Sequence, residues 1–211
     1  ENNPPFDAFY CSQYVRTKET AAEMDLPDAV WHADMMIRER DQGVQDGGGD
    51  VKLGLSEAEQ HRVSKSPLYW APVSGESMAD VVTRVRLFLD TLATCSAGMR
   101  VVVVTHYRAI HAFRILLEEI PQERTPDLLN EKMPNCCVWW YSRRGIPPSR
   151  HVHWQIASVR RIEVLPDGST DITTIPVQRQ TFSNSDLLRE VAAIKQVVNN
   201  GPDGQGIVEE V

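Results

Sequence analysis

The chain has 211 residues, 42% hydrophobic and 24% charged, which is ordinary for a soluble globular protein and enough for one sizeable core. Its formal net charge of -7 excludes a general affinity for nucleic acid or anionic membrane, although a small basic pocket inside a cleft remains compatible with it. No apolar run is long enough to span a bilayer, and the four cysteines (11, 95, 136 and 137) lack both metal-site spacing and scaffold density, so a reducing, cytoplasmic setting is the expectation.

ENNPP reads as loop and FDAFYC as a short strand entering the core. The period then changes: Ser12 is a good N-cap, and Tyr14, Val15, Ala21, Ala22 and Met24 lie along a helix whose first turn carries Arg16. QDGGGD is a glycine-rich surface tip that lacks the ending of a phosphate-cradling loop. Ser56 and Glu59 form a capping-box pair for a short helix to about position 65. Ser77 and Asp80 form a second, and Met78, Val81, Val82, Val85, Phe88, Leu89 and Leu92 then repeat at helical spacing.

SAG ends that helix and VVVVTH follows. Four valines without alternation predict a strand covered on both faces, the habit of a central strand in a parallel sheet. Ile110, Phe113, Leu116, Leu117 and Ile120 make a further amphipathic helix closed by Pro121. Thr125-Pro126 opens a short helix and CCVWWY is another strand. From 151 onward, HVHWQIASVRRIEVL and TDITTIPV flank a PDGS turn as a hairpin, followed by a helix over about Asp186 to Val198 and a flexible end.

Chemistry is expected where strands stop, because ligands of open α/β sheets bind beyond the carboxyl ends of strands. One strand stops at Ser12 with Arg16 a turn later, and another stops at His106. If these strands are parallel, a helix start, a guanidinium and an imidazole share one rim, which suits a phosphate. Glu39, in IRERDQG, is the candidate proton donor to a leaving oxygen. The plainer alternatives are a histidine that only caps a buried strand and a charge cluster that only faces solvent. His151 and His153 alternate on one strand face, but no third metal ligand lies at useful spacing, and no metal or other cofactor is expected.

Five segments in order, FYCSQYVRTKETA, IRERDQG, GESMADVVTRVRLFLDTL, VVVVTHYRAIHAF and MPNCCVWWY, resemble the histidine phosphatase superfamily, also called the phosphoglycerate mutase-like family. They are more similar to its phosphatases than to its glycolytic mutases. The resemblance implies a three-layer α/β/α sandwich with a mostly parallel central sheet over residues 1–150, with a C-terminal β-hairpin, helix and tail over 151–211. It also implies a phosphohistidine mechanism on a small phosphorylated metabolite. Carried onto this sequence, Arg16 grips the phosphoryl oxygens beside Ser12, Glu39 donates and later accepts a proton, and His106 holds the transferring group.

Two positions depart from the family pattern. No Arg-His-Gly, the family's nucleophile motif, occurs in the 211 residues. The nucleophile is then supplied by residues beyond these, supplied separately, or lost. Tyr107 stands where a glycine usually follows the second histidine and a backbone amide approaches the phosphate, so a side chain there could narrow the pocket or change which leaving groups fit. Three functions follow as expectations: a phosphomonoesterase, a mutase that returns the phosphoryl group, or a non-catalytic phosphate-binding or interaction module. The C-terminal piece could extend the sheet, cover an edge, or contact a second subunit in a homo-oligomer.

Overall fold

Strand ends and helix starts are brought together by the topology of a computed structural model that describes residues 6–43, 66–144, 156–176 and 183–199. In order, the elements are β1 (Ala8–Ser12), α1 (Val15–Glu23), β2 (Trp31–Asp34), α2 (Met78–Cys95), β3 (Val101–Val104), α3 (Tyr107–Leu117), α4 (Thr125–Asn130), β4 (Val138–Ser142), β5 (Ser158–Val164), β6 (Thr170–Ile175) and α5 (Asn184–Asn199). Short 3₁₀ turns follow β2 (Met35–Ile37) and precede α4 (Gln122–Arg124).

The expected α/β architecture is present. β2, β1 and β3 form a parallel sheet in that order, with Ser12 opposite Asp34 and Cys11 opposite Val104. Parallel pairing needs crossovers, and the intervening helices supply them. Tyr10, Val101 and Val103 pack against the core formed with α2 and α3, where Phe88 meets Tyr10 and Phe113 edge-on. Phe9 and Cys11, two residues apart, are buried on the other face, where the Cys11 thiol feels the charge of Lys18 of α1.

The predicted stripe of α2 is the buried one: Met78, Val81, Val85, Phe88, Leu89 and Leu92 are all inside. Its predicted start is also present, since Ser77 Oγ accepts from the Asp80 amide at 3.1 Å and the Asp80 carboxylate accepts from the Ser77 amide at 2.8 Å. β4, β5 and β6 form a second, antiparallel sheet, with β5 and β6 joined by the PDGS turn, where Gly168 takes φ 82°. Residues 178–211 form a separate compact unit holding α5, whose start carries a Ser183–Asp186 capping box.

Three expectations change. Ser12 does not cap α1: β1 runs through it, the helix begins at Val15 behind Tyr14, and the Ser12 hydroxyl turns elsewhere. Of its predicted apolar residues α1 buries only Ala21, together with Thr17, while Tyr14, Val15, Ala22 and Met24 are exposed. β3 is an edge rather than the middle of its sheet among the described residues, and its four valines are only half-buried. The glycine-rich tip, the Ser56–Glu59 helix and His151 and His153 lie outside the described residues. Among those described, no helix is long and apolar enough to cross a membrane, and no group of three His, Cys, Asp or Glu could hold a metal ion.

Candidate active site

Ser12 and His106 stand at the same end of the parallel sheet because β1 and β3 run side by side and stop together. Their side chains meet: His106 Nε2 lies 2.8 Å from Ser12 Oγ. Arg16, in the first turn of α1, reaches across so that its Nε donates to His106 Nδ1 at 3.1 Å. A guanidinium nitrogen can only donate, so Nδ1 is the ring's acceptor and the neutral ring carries its proton on Nε2, which donates to Ser12.

The ring is 5% exposed. Burial, the Arg16 guanidinium and the Arg84 guanidinium together push its pKa from 6.5 down to about 4, so it is neutral near pH 7. The neutral ring can therefore accept a hydrogen bond from the Arg16 guanidinium. An anion arriving between Arg16 and His106 reverses that preference, because it accepts from both and offsets both cations.

Glu39 reaches the same place from the loop after β2. Its Oε1 accepts from the Arg40 amide at 2.8 Å and from the Arg108 amide, in the first turn of α3, at 3.2 Å. His106 is the N-cap of α3, so Glu39 and His106 share one helix start. Thr105 ties strand and loop together by donating from Oγ1 to the Ile37 carbonyl at 2.6 Å.

What holds that loop is a cation buried in the apolar stripe of α2. Arg84 donates to the Met36, Arg38 and Glu39 carbonyls at 2.7, 2.8 and 3.1 Å, and forks onto both oxygens of Glu76 at 3.0 Å. Glu76 also accepts from Arg38 and from the Asp41 amide, each at 3.0 Å. Burial raises the Glu76 pKa, but Arg84, the Asp41 amide and Arg38 outweigh it and leave the carboxyl below its usual value. Gly43 closes the loop at φ 59°, where a Cβ would stand 2.1 Å from the Val73 carbonyl oxygen.

The structure therefore brings together Ser12, Arg16, Glu39 and His106. It sends the Tyr107 side chain away: its hydroxyl donates to the Glu131 carbonyl and its ring stacks edge-on against His111, 4.4 Å between centroids. Tyr107 contributes its place in the first turn of α3 rather than a ring over the pocket. Arg84 went unread in the sequence, although an arginine at helical spacing among Val81, Val85 and Phe88 must find partners when buried, and that was a usable signal. Tyr14, whose ring meets His106 and Arg16, carries no signal of this in the sequence, where it reads only as an apolar residue along a helix.

The family model for the histidine phosphatase superfamily, branch 1, matches residues 2–155. Among solved structures, a mycobacterial glucosyl-3-phosphoglycerate phosphatase with inorganic phosphate is similar at 19% identity over 82% of this chain and 77% of that one, with a TM-score of 0.52. YhfR from Bacillus stearothermophilus is similar at 19% identity, over 82% and 75% of the two chains, with a TM-score of 0.51. The alpha-ribazole phosphatase from Shigella flexneri is similar at 14% identity, over 85% and 79%, with a TM-score of 0.53. No curated protein sequence matches the chain. Such identities speak for a common fold, and the match across most of the chain, in a region that holds all four converging residues, decides the family: the chain belongs to branch 1 of the histidine phosphatase superfamily.

Proposed function

We propose that this chain carries the phosphate-gripping and proton-transferring side chains of a phosphomonoesterase working through a phosphohistidine. The observation that carries the reading is the Arg16–His106–Ser12 chain of contacts at the strand ends, with Glu39 on the same helix start. A buried imidazole accepting from one arginine and repelled by a second gains little as a structural device. As one wall of an oxyanion site, the arrangement is useful as it stands.

On this reading the nucleophile is a histidine supplied from outside these residues, because none of the six here lies in Arg-His-Gly. Its ring nitrogen attacks phosphorus while the P–O bond to the alcohol breaks in line. Glu39 gives the departing alkoxide its proton from Oε2, because Oε1 is engaged by two amides. Glu39 then takes a proton from water, whose oxygen attacks phosphorus as the P–N bond breaks, releasing phosphate and restoring both groups. Arg16 and His106 hold the non-bridging oxygens throughout.

Among the described residues nothing pairs with the outer edge of β3, which supports a further strand beside it. It carries four half-exposed valines with no charge, proline or bulge, whereas edges left to solvent are normally protected by such features. The strand bearing the nucleophile would sit there. Phosphatase assay of the full-length protein tests the reading: activity reduced on the order of a hundredfold or more by Arg16→Met or His106→Asn supports it. Phosphate-ester binding without turnover would instead favour a binding module, the second reading, which the lack of Arg-His-Gly in these residues keeps in play. Transfer to a second phosphorylated metabolite in preference to water would favour a mutase.

A further inference from the structure

We infer that Tyr14 is a specificity-determining wall of this site, selecting phosphate monoesters whose alcohol carries a planar ring. The inference rests on the phosphate-site reading above. It starts from an aromatic side chain that contacts two of the site's groups without being buried by them. The Arg16 guanidinium lies over the Tyr14 ring at 4.8 Å from its centroid, and the His106 ring meets it at 78°, 5.2 Å between centroids. Even so, Tyr14 stays 38% exposed.

Its backbone is fixed in place. The Tyr14 amide donates to Ser12 Oγ at 3.4 Å, and its carbonyl accepts from the Thr17 hydroxyl at 2.7 Å and the Thr17 amide at 3.1 Å. The ring is thus an aromatic surface anchored through its backbone beside the groups that would hold a phosphate. A phosphoryl group between Arg16 and His106 puts its ester oxygen within a few bonds of that surface. An alcohol on the exposed side of Arg16 and His106 meets it.

A methyl or short polyol gains little from such a wall, whereas a planar ring can stack on it or meet it edge-on, worth roughly three- to tenfold in affinity for one aromatic pair. Packing alone does not account for the residue, because α1 buries Thr17 and Ala21 and leaves Tyr14 at the open side. The proposal is that this open remainder of the ring is used by the substrate.

Titration calorimetry on the full-length protein with phenylphosphonate and methylphosphonate tests this, neither probe being hydrolysed. Wild type should prefer the phenyl compound by roughly three- to tenfold. Tyr14→Phe should keep that preference, and Tyr14→Ala should bring the ratio to about one with methylphosphonate affinity changed less than about threefold. A ratio unaltered by Tyr14→Ala overturns the inference, as does a parallel loss for both compounds, which would make Tyr14 a positioning residue for Arg16 and His106. If wild type binds methylphosphonate yet turns over no ester, the phosphatase reading fails while the phenyl-to-methyl ratio still decides the role of Tyr14. If wild type binds neither, both fall.

Discussion

Replacing Arg16 with methionine should raise the pKa of His106, and the structure gives the size of the change. His106 is pushed down to about 4 by burial first, by Arg16 second and by Arg84 third. Two unit charges ~5 Å apart interact by about 3 kcal/mol at an effective dielectric near 20, equivalent to about two pKa units, and this is a ceiling for Arg16. Arg16 is itself exposed and therefore screened, and burial remains after the substitution. The expected rise is about one unit, accompanied by loss of the donor to Nδ1. Histidine ring resonances followed by NMR through pH 3 to 8 read it directly. Inorganic phosphate should move the same resonance upward in wild type, since the anion engages Arg16 and favours the imidazolium. An unmoved or lowered His106 titration in Arg16→Met would refute the electrostatic coupling of these two side chains.

Other consequences concern the frame around the site. His111 is wholly buried, its Nε2 has no hydrogen-bond partner among the described residues, and burial with Arg108 and Arg114 pushes it to about 3. Its folded pKa lies below the unfolded value near 6.5, so stability is complete above pH 6.5 and is lost as pH falls toward 3. His111→Phe should therefore lose about 2 kcal/mol less than wild type between pH 8 and pH 5 in urea unfolding, and an identical acid limb would contradict this. Arg84→Met strands the carbonyls of Met36, Arg38 and Glu39 and leaves Glu76 with a weakened set of partners, so a loss of about 3–5 kcal/mol is expected by chemical denaturation. Gly43→Ala forces a Cβ onto the Val73 carbonyl at a left-handed φ, and should cost about 1–3 kcal/mol and loosen the Glu39 loop, visible as faster amide exchange of Arg40.

The parts of this site that lie at strand ends were legible because the sequence marks strand ends clearly. The change from apolar run to helical period at Ser12, and from four valines to Thr-His at 105–106, located Ser12, Arg16 and His106 before any coordinates. Glu39 was legible only through the resemblance, since a charge cluster in a loop has no period. The roles were harder to read than the places. Ser12 satisfies the composition rule for an N-cap, yet strand pairing with Asp34 holds it extended and frees its hydroxyl for His106. β3 has the composition of a central strand but ends the sheet among the described residues, because composition states what a strand can bury rather than which neighbours are present. Tyr14 and Val15 misled for a related reason: with a nine-residue helix, two apolar residues at the first turn fit a stripe that the structure places elsewhere. Arg84 is the reverse case, a charged residue whose position in an apolar stripe demanded the buried partners it has.

The central claim is that Arg16, Glu39, Ser12 and His106 form one oxyanion site, and inorganic phosphate titrated into the full-length protein addresses it most directly. The account predicts saturable binding that perturbs the His106 ring, weakened about tenfold or more in both Arg16→Met and His106→Ala, as expected when one charged or ring donor is lost. Binding of equal strength in wild type and both variants, with the His106 resonances unmoved, would contradict it.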